Sequence, residues 1–510
     1  MLPYARNAAT IPALTLVLGL CLALCGLSAL GCASAGERPT GDALTDLQNP
    51  ELRVPQRIEA IDQAWEDPSI FRGDIREALR GLVWAEQAPA DLRLAALDKL
   101  MGDASPEGLA ESRTFIRLRV PRVGNYEMVR RMGVLAVARG WRDLTPAFVR
   151  SYAQVDEVIP DEERIERDIL EALNPEESLE RIVIRVFLDP NQPPIAGEDV
   201  NDRVRAEAWD LLARLDPSGD ARRDILAGEQ LPADAEGTRV LGAMRRGLTE
   251  LRVVPRTGDE LRWLLSLADS GRSSNAAWWN EVATIVRRLD SDQAAGLRLR
   301  HLEVLRWASV YREPWLRQSR QEMLSRLAQR LAEREFTPRR ADERELRDIP
   351  QEFVDARPAL SWGDAVSLLA LDVALHDPDV LADLFRQVAL DRDDETTEYG
   401  GLVFAGDDGR FLVRLYPPRP QHRRGDDIFV ASSDMVDQGD QAIAWYHFHA
   451  TRERNSRFAG PSLEDFEQAR SSGRLALVLT SVREGELNAD AYAGEPFAVD
   501  LGEVVGPPSN

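Results

Sequence analysis

From residue 47 to about residue 391 the chain is interrupted by Asp-Pro, Asn-Pro and Ser-Pro pairs, and its apolar residues recur at helical spacing instead of alternating. Such a stretch is confined to helices. In two places the pattern repeats closely: Leu92-Arg93 is followed by Ala96, Leu97 and Leu100, and Val204-Arg205 by Ala208, Trp209 and Leu212. The apolar positions fall at i, i+4, i+5 and i+8, which makes one buried stripe on a helix. Leu52-Arg53 stands 40 residues before the first copy. Trp278, Trp279, Trp307 and Trp315 sit among helical apolar positions and read as core. His301 and His376 have no second ligand at a useful spacing and read as structural residues. The runs 162–168 and 339–345 mix both charge signs and read as solvated helix faces.

A period near 40 built of helix pairs resembles that of HEAT repeats. The resemblance implies an all-α solenoid over residues 47–378 whose units stack on their neighbours and present a surface to a partner or substrate. An irregular helical bundle is the other architecture open to this stretch, because the repeat fades between residues 110 and 200 and beyond 230. All three cysteines, Cys21, Cys25 and Cys32, lie near the start of the chain. The remainder therefore has neither a disulfide nor a thiol nucleophile, and a large apolar core must stabilise it. The formal net charge of -23 excludes a general nucleic-acid binder, whose footprint is a basic face.

Past residue 378 the pattern changes. Ser361-Trp362-Gly363-Asp364 reads as a helix cap, the helix runs to about His376, and Asp377-Pro378 ends it. A second helix, about Asp379 to Leu390, leads into Glu398-Tyr399-Gly400-Gly401-Leu402-Val403-Phe404, a carboxylate ahead of an apolar strand. Gly406 to Gly409 is a turn and Phe411 to Tyr416 a return strand. Residues 442–449 are apolar, aromatic or imidazole-bearing and contain no Gly or Pro, so they read as extended. Alternation then puts Ile443, Trp445, His447 and His449 on one face. Gly460-Pro461-Ser462 reads as a loop that becomes a helix at Ser462, with Asp465 in its first turn. Two further strands, Arg474 to Ser481 and Glu486 to Tyr492, complete an α+β domain over 379–510, with a mixed or antiparallel sheet and the site at its edge.

His447, His449 and Asp465 leave a fourth position for water, the open coordination of catalytic zinc. The same residues have plainer readings: paired strand histidines often only pack, and S-x-x-D is also an N-terminal capping box. Glu398, the H-x-H pair and the S-x-x-D run together resemble the JAB/MPN metalloproteases that carry the JAMM motif, which include deubiquitinating isopeptidases and bacterial relatives. The resemblance implies that His447, His449 and Asp465 bind zinc, that Glu398 is the general base, and that Ser462 steadies the carbonyl oxygen. It implies hydrolysis of a protein or peptide substrate. This chain departs from the family at Ala450, where Pro is usual, and in an insertion within Thr451 to Arg457 that lengthens the gap to Ser462. A degenerate JAB-like module serving as a non-catalytic cell-envelope adaptor is the alternative. Arg419 to Arg424, with His422, reads as a basic surface loop or as a binder of carboxylate groups.

At the other end, Arg6 precedes an apolar stretch from Ile11 to Leu30, which reads as an export signal over 1–31. Ala29-Leu30-Gly31-Cys32 resembles a bacterial lipobox and implies acylation at Cys32, a lipid anchor in the cell-envelope membrane, and a polar tether over 32–46. Cleavage after Ala33-Ser34-Ala35, giving a secreted or periplasmic protein, and a retained membrane span are the other options.

Overall fold

The computed structural model describes residues 38–507 apart from 123–124, 155–158, 192–199, 217–218, 228–232, 270–272, 340–348, 351, 421–422, 426–427 and 495–496. The export signal and Cys32 lie outside the described residues. Among those described, no helix is long and apolar enough to cross a membrane. The described residues form two compact units, one from those up to 119 together with those of 123–138, the other from 120–122 together with those from 139 onward.

The first unit is helical, with helices Ala43–Gln48, Val54–Glu66, Arg72–Trp84, Ala90–Gly102, Pro106–Arg119 and Tyr126–Ala138. Its first helix begins inside the stretch read as tether. Asp42 caps that helix by accepting from Leu44 N, and Asp46 folds back to accept from Thr40 N and Oγ1, both at 2.8 Å. The predicted stripe is buried as expected: Leu92, Ala96 and Leu97 are fully covered and Leu100 nearly so.

The second unit opens with helices and ends in a sheet. Val204, Ala208, Trp209 and Leu212 of helix Val200–Leu215 are fully buried, with the Trp209 indole donating to Pro255 O at 3.1 Å. Arg205 is buried among them. It is tolerated because Asp234 accepts two hydrogen bonds from Nη2, each at 2.8 Å, and Nη1 donates to Phe187 O. The four tryptophans are core, as predicted. His301 is a structural residue, with Nε2 3.1 Å from Asp364 Oδ1. The boundary helices form at Trp362–Ala374, where Ser361 and Asp364 make a capping box, and at Pro378–Arg392, capped by Asp377.

Six strands follow: β1 Gly400–Ala405, β2 Phe411–Leu415, β3 Ala444–His449, β4 Ala476–Arg483, β5 Glu486–Ala493 and β6 Phe497–Val505, in spatial order β2-β1-β3-β4-β5-β6. The β3–β4 pair is parallel and the others antiparallel, so the sheet is mixed. The expectation of a site at the sheet's edge is corrected here. β3 is the third of six strands, because the β1–β2 hairpin covers one side and β4 the other. β6 was not anticipated; chain from the helical region runs beside it, with Glu503 N donating to Glu335 O at 2.9 Å and Ala498 N to Pro350 O at 3.0 Å. One face of the sheet, carrying Leu402, Trp445, Val478 and Tyr492, packs on Phe466 and Ala469 of helix Leu463–Ser472. On the opposite face Tyr446 hydrogen-bonds Gln387 of helix Pro378–Arg392.

Candidate metal centre

Strand periodicity puts both imidazoles on one face, and pairing on both sides holds them there. Gly400 is in register with His447 across β1–β3, and Val478 and Thr480 stand opposite His447 and His449 across β3–β4. At Gly400 the strands come too close for a side chain, since a Cβ would lie 2.5 Å from Tyr446 O and from the Phe429 ring. This close approach carries Glu398, two residues earlier, toward the histidines. The nitrogen and oxygen donors of Glu398, His447 and His449 lie within 4.8 Å of one another and could hold a metal ion.

Asp465 enters from the other side. Gly460, at φ +84°, turns the chain in the left-handed region. Ser462 then caps the helix: its Oγ accepts from Asp465 N at 3.2 Å, and Asp465 Oδ2 accepts from Ser462 N at 2.8 Å. The capping box and the ligand reading are therefore compatible, because the box locks the carboxylate while Oδ1 reaches His447 Nε2 at 3.2 Å. Asp465 Oδ2 is 3.8 Å from His449 Nε2. The two Nε2 atoms are 3.3 Å apart. His449 Nδ1 donates to Phe458 O at 2.7 Å, which fixes the tautomer and leaves the Nε2 lone pair facing the cluster.

The electrostatics follow from burial and proximity. Burial opposes charge on His447, but Asp465 and then Glu398 outweigh it and push the imidazole up to about 9. Burial and the His447 charge push His449 down to about 4. Asp465 is held well below the usual carboxylate range by His447 despite its burial. His447 Nε2 thus faces both the Asp465 carboxylate and the His449 ring nitrogen. Two imidazole nitrogens and the Glu398 carboxylate, with Asp465 beside the imidazoles, are a donor set that could hold a metal ion.

No protein-family model matches the chain, and neither a curated protein nor a solved structure matches it.

The structure brings Glu398, His447, His449 and Asp465 together and places Ser462 beside them through the cap. His422 lies outside the described residues. Two arginines of its loop are engaged locally, Arg419 with Asp434 at 2.6 Å and Arg423 with Asp394. Sequence reasoning missed three supports. Phe429 stacks on His447, with centroids 5.7 Å apart and planes at 9°. Asn455 ties the inserted loop to the site, donating through Nδ2 to His449 O at 3.1 Å and through its backbone to Ser481 O at 2.7 Å. Thr480, opposite His449, has a buried Oγ1 with no hydrogen-bond partner among the described residues. Only Asn455, the one amide side chain in the loop of residues 451–457, carried any local signal.

Replacing Ser462 with Ala removes the cap and is expected to lower stability by about 1 kcal/mol, read from urea unfolding monitored by circular dichroism. A change below about 0.3 kcal/mol would show that the cap does not secure the helix.

Proposed function

We propose that this chain is an exported, lipid-anchored zinc-dependent peptidase or isopeptidase of JAMM type, with its helical region acting as a solenoid that engages a partner or substrate. The observation that supports this is the convergence of His447, His449, Asp465 and Glu398 at the end of one central strand. Zinc is the metal that best suits two imidazoles and a carboxylate with one position left open, and the resemblance to JAB/MPN enzymes points the same way. When bound, it supplies Lewis acidity toward an amide carbonyl and toward water.

The protein groups divide the remaining work. His447, His449 and Asp465 hold the ion, each oriented by a second contact: Phe429 on the first, Phe458 O on the second and Ser462 N on the third. Glu398 accepts the proton of the attacking water and returns it to the leaving amine. Ser462 Oγ accepts from the cap, so its own proton is available to donate to the carbonyl oxygen.

The test is hydrolysis of a broad peptide library by the full chain, before and after chelation and after zinc is restored. Loss on chelation and recovery with zinc is expected; hydrolysis that survives complete metal removal excludes the reading. A non-catalytic adaptor is the second reading, favoured by one observation: His447 Nε2 and Asp465 Oδ1 pair with each other at 3.2 Å, a contact that needs no metal. Zinc bound without hydrolysis across the library would favour it. The anchor has its own test, since Cys32→Ser should move the protein from the detergent extract to the soluble fraction.

A further inference from the structure

Beside the metal centre lies a cavity of about 790 Å³ whose lining combines apolar residues, Phe336, Ile349, Phe353 and Val354, with charged ones. The charges are unequal. Among the described residues, Asp490, Asp500, Glu352 and Asp355 line it together with a single guanidinium, that of Arg339. Asp490 and Asp500 are 4% and 9% exposed, and they face each other in register across β5 and β6.

Their hydrogen bonds leave an opening. Asn488 Nδ2 donates to Asp490 Oδ2 at 2.8 Å and to Asp500 Oδ1 at 3.2 Å. Gly502 N also donates to Asp500 Oδ1, at 2.8 Å. Both bonds to Asp500 therefore fall on one oxygen. Oδ2 accepts none among the described residues, although the side chain is nine-tenths buried and lines the cavity. Burial first, and for Asp500 the nearby Asp490, push both carboxyls well above their ordinary range. A second unit charge on this pair is costly until a cation compensates it.

The cavity is joined to the metal centre by both covalent structure and register. Pro461 lines it and precedes Ser462, the cap of the helix that carries Asp465. Asp490 is opposite Val478, which is opposite His447. Two strand spacings separate acid from imidazole, roughly 10 Å, a span that about three residues of extended peptide cover.

We infer that this cavity binds an organic cation with an apolar stem, the side chain of a lysine or arginine two or three residues from the bond cleaved at the metal centre, and that Asp500 is its principal contact. The assignment to substrate rests on the peptidase reading; the cation site itself does not. An ammonium or guanidinium supplies the donor that Asp500 Oδ2 lacks and the charge that the acidic lining calls for. The methylene stem meets Phe336, Ile349 and Phe353.

The experiment is calorimetric titration of the metal-stripped full chain with phenylbutylamine and with the uncharged phenylbutanol. One amine per chain is expected, bound at least about tenfold more tightly than the alcohol, and Asp500→Asn should remove about that preference. Asparagine keeps an oxygen for Gly502 N and Asn488, so the variant tests charge at nearly constant shape. Should it unfold, the exposed-rim double variant Glu352→Gln plus Asp355→Asn serves instead, with about a threefold loss of amine affinity expected. No amine binding, or equal binding of amine and alcohol, overturns the site and leaves the metal reading untouched. On the zinc-loaded protein, the amine should compete with hydrolysis of peptides that place Lys or Arg two or three residues from the cut. Amine binding that leaves such hydrolysis unaffected overturns the assignment to substrate, whereas a chain that takes up no zinc refutes the peptidase reading and not the cation site.

Discussion

Glu398→Gln is expected to slow peptide hydrolysis by about 10²- to 10⁴-fold, the range of a lost general base, while zinc content and the urea midpoint stay at their wild-type values. Glutamine keeps the size and most of the hydrogen-bonding capacity of the side chain, so the backbone bond from Glu398 N to Ile428 O and the strand that follows are preserved. What it loses is the ability to take a proton. The experiment also decides between two roles that the geometry permits, because the Glu398 carboxylate lies as near the imidazole nitrogens as a ligand would. A base leaves the metal in place when replaced; a ligand does not. Zinc lost together with activity would make Glu398 part of the coordination set, and full retention of hydrolysis would refute a JAMM-type mechanism even with zinc bound. Elemental analysis of the same samples used for kinetics distinguishes these outcomes.

Replacing both histidines, His447→Ala with His449→Ala, should abolish stoichiometric zinc and reduce affinity by at least about 100-fold. Wild-type protein should carry about one zinc per chain. Without the two imidazoles only the carboxylates of Asp465 and Glu398 remain, oxygen donors better suited to harder ions. Because His447 is buried against Phe429 and Tyr492, the double variant also leaves a cavity. Retention of fold must therefore be shown by circular dichroism beside the metal analysis. Zinc that stays stoichiometric in a folded double variant places the metal elsewhere in the chain.

Local pattern was enough for much of the metal centre. The alternation of residues 442–449 put His447 and His449 on one face, and S-x-x-D positioned Asp465 within a first helical turn; both are properties of neighbours in sequence, whose directions the backbone period dictates. The same holds for the buried stripes around Leu97 and Trp209 and for the caps at Ser361 and Asp377. Residues 497–505 were illegible as a strand because Glu503 falls on the face of Phe497, Val499 and Leu501 and breaks the alternation, and burial on both faces removes most of the polar half of the signal.

What tertiary structure alone decided is how distant pieces meet. Glu398 reaches the imidazoles because Gly400 pairs with His447, a contact across 47 residues of chain that no local period encodes. The position of β3 inside the sheet depends on which strands flank it, and strand order is a matter of long-range pairing and not of propensity. The Asp490–Asp500 pair is the clearest case. In sequence it is two carboxylates ten residues apart on separate strands, and only the antiparallel register of β5 with β6 puts them opposite each other beside a cavity. Sequence by itself determined the kinds of element and the residues able to bind a metal; folding determined their company, because burial and electrostatics act on whatever side chains the register brings within a few ångström.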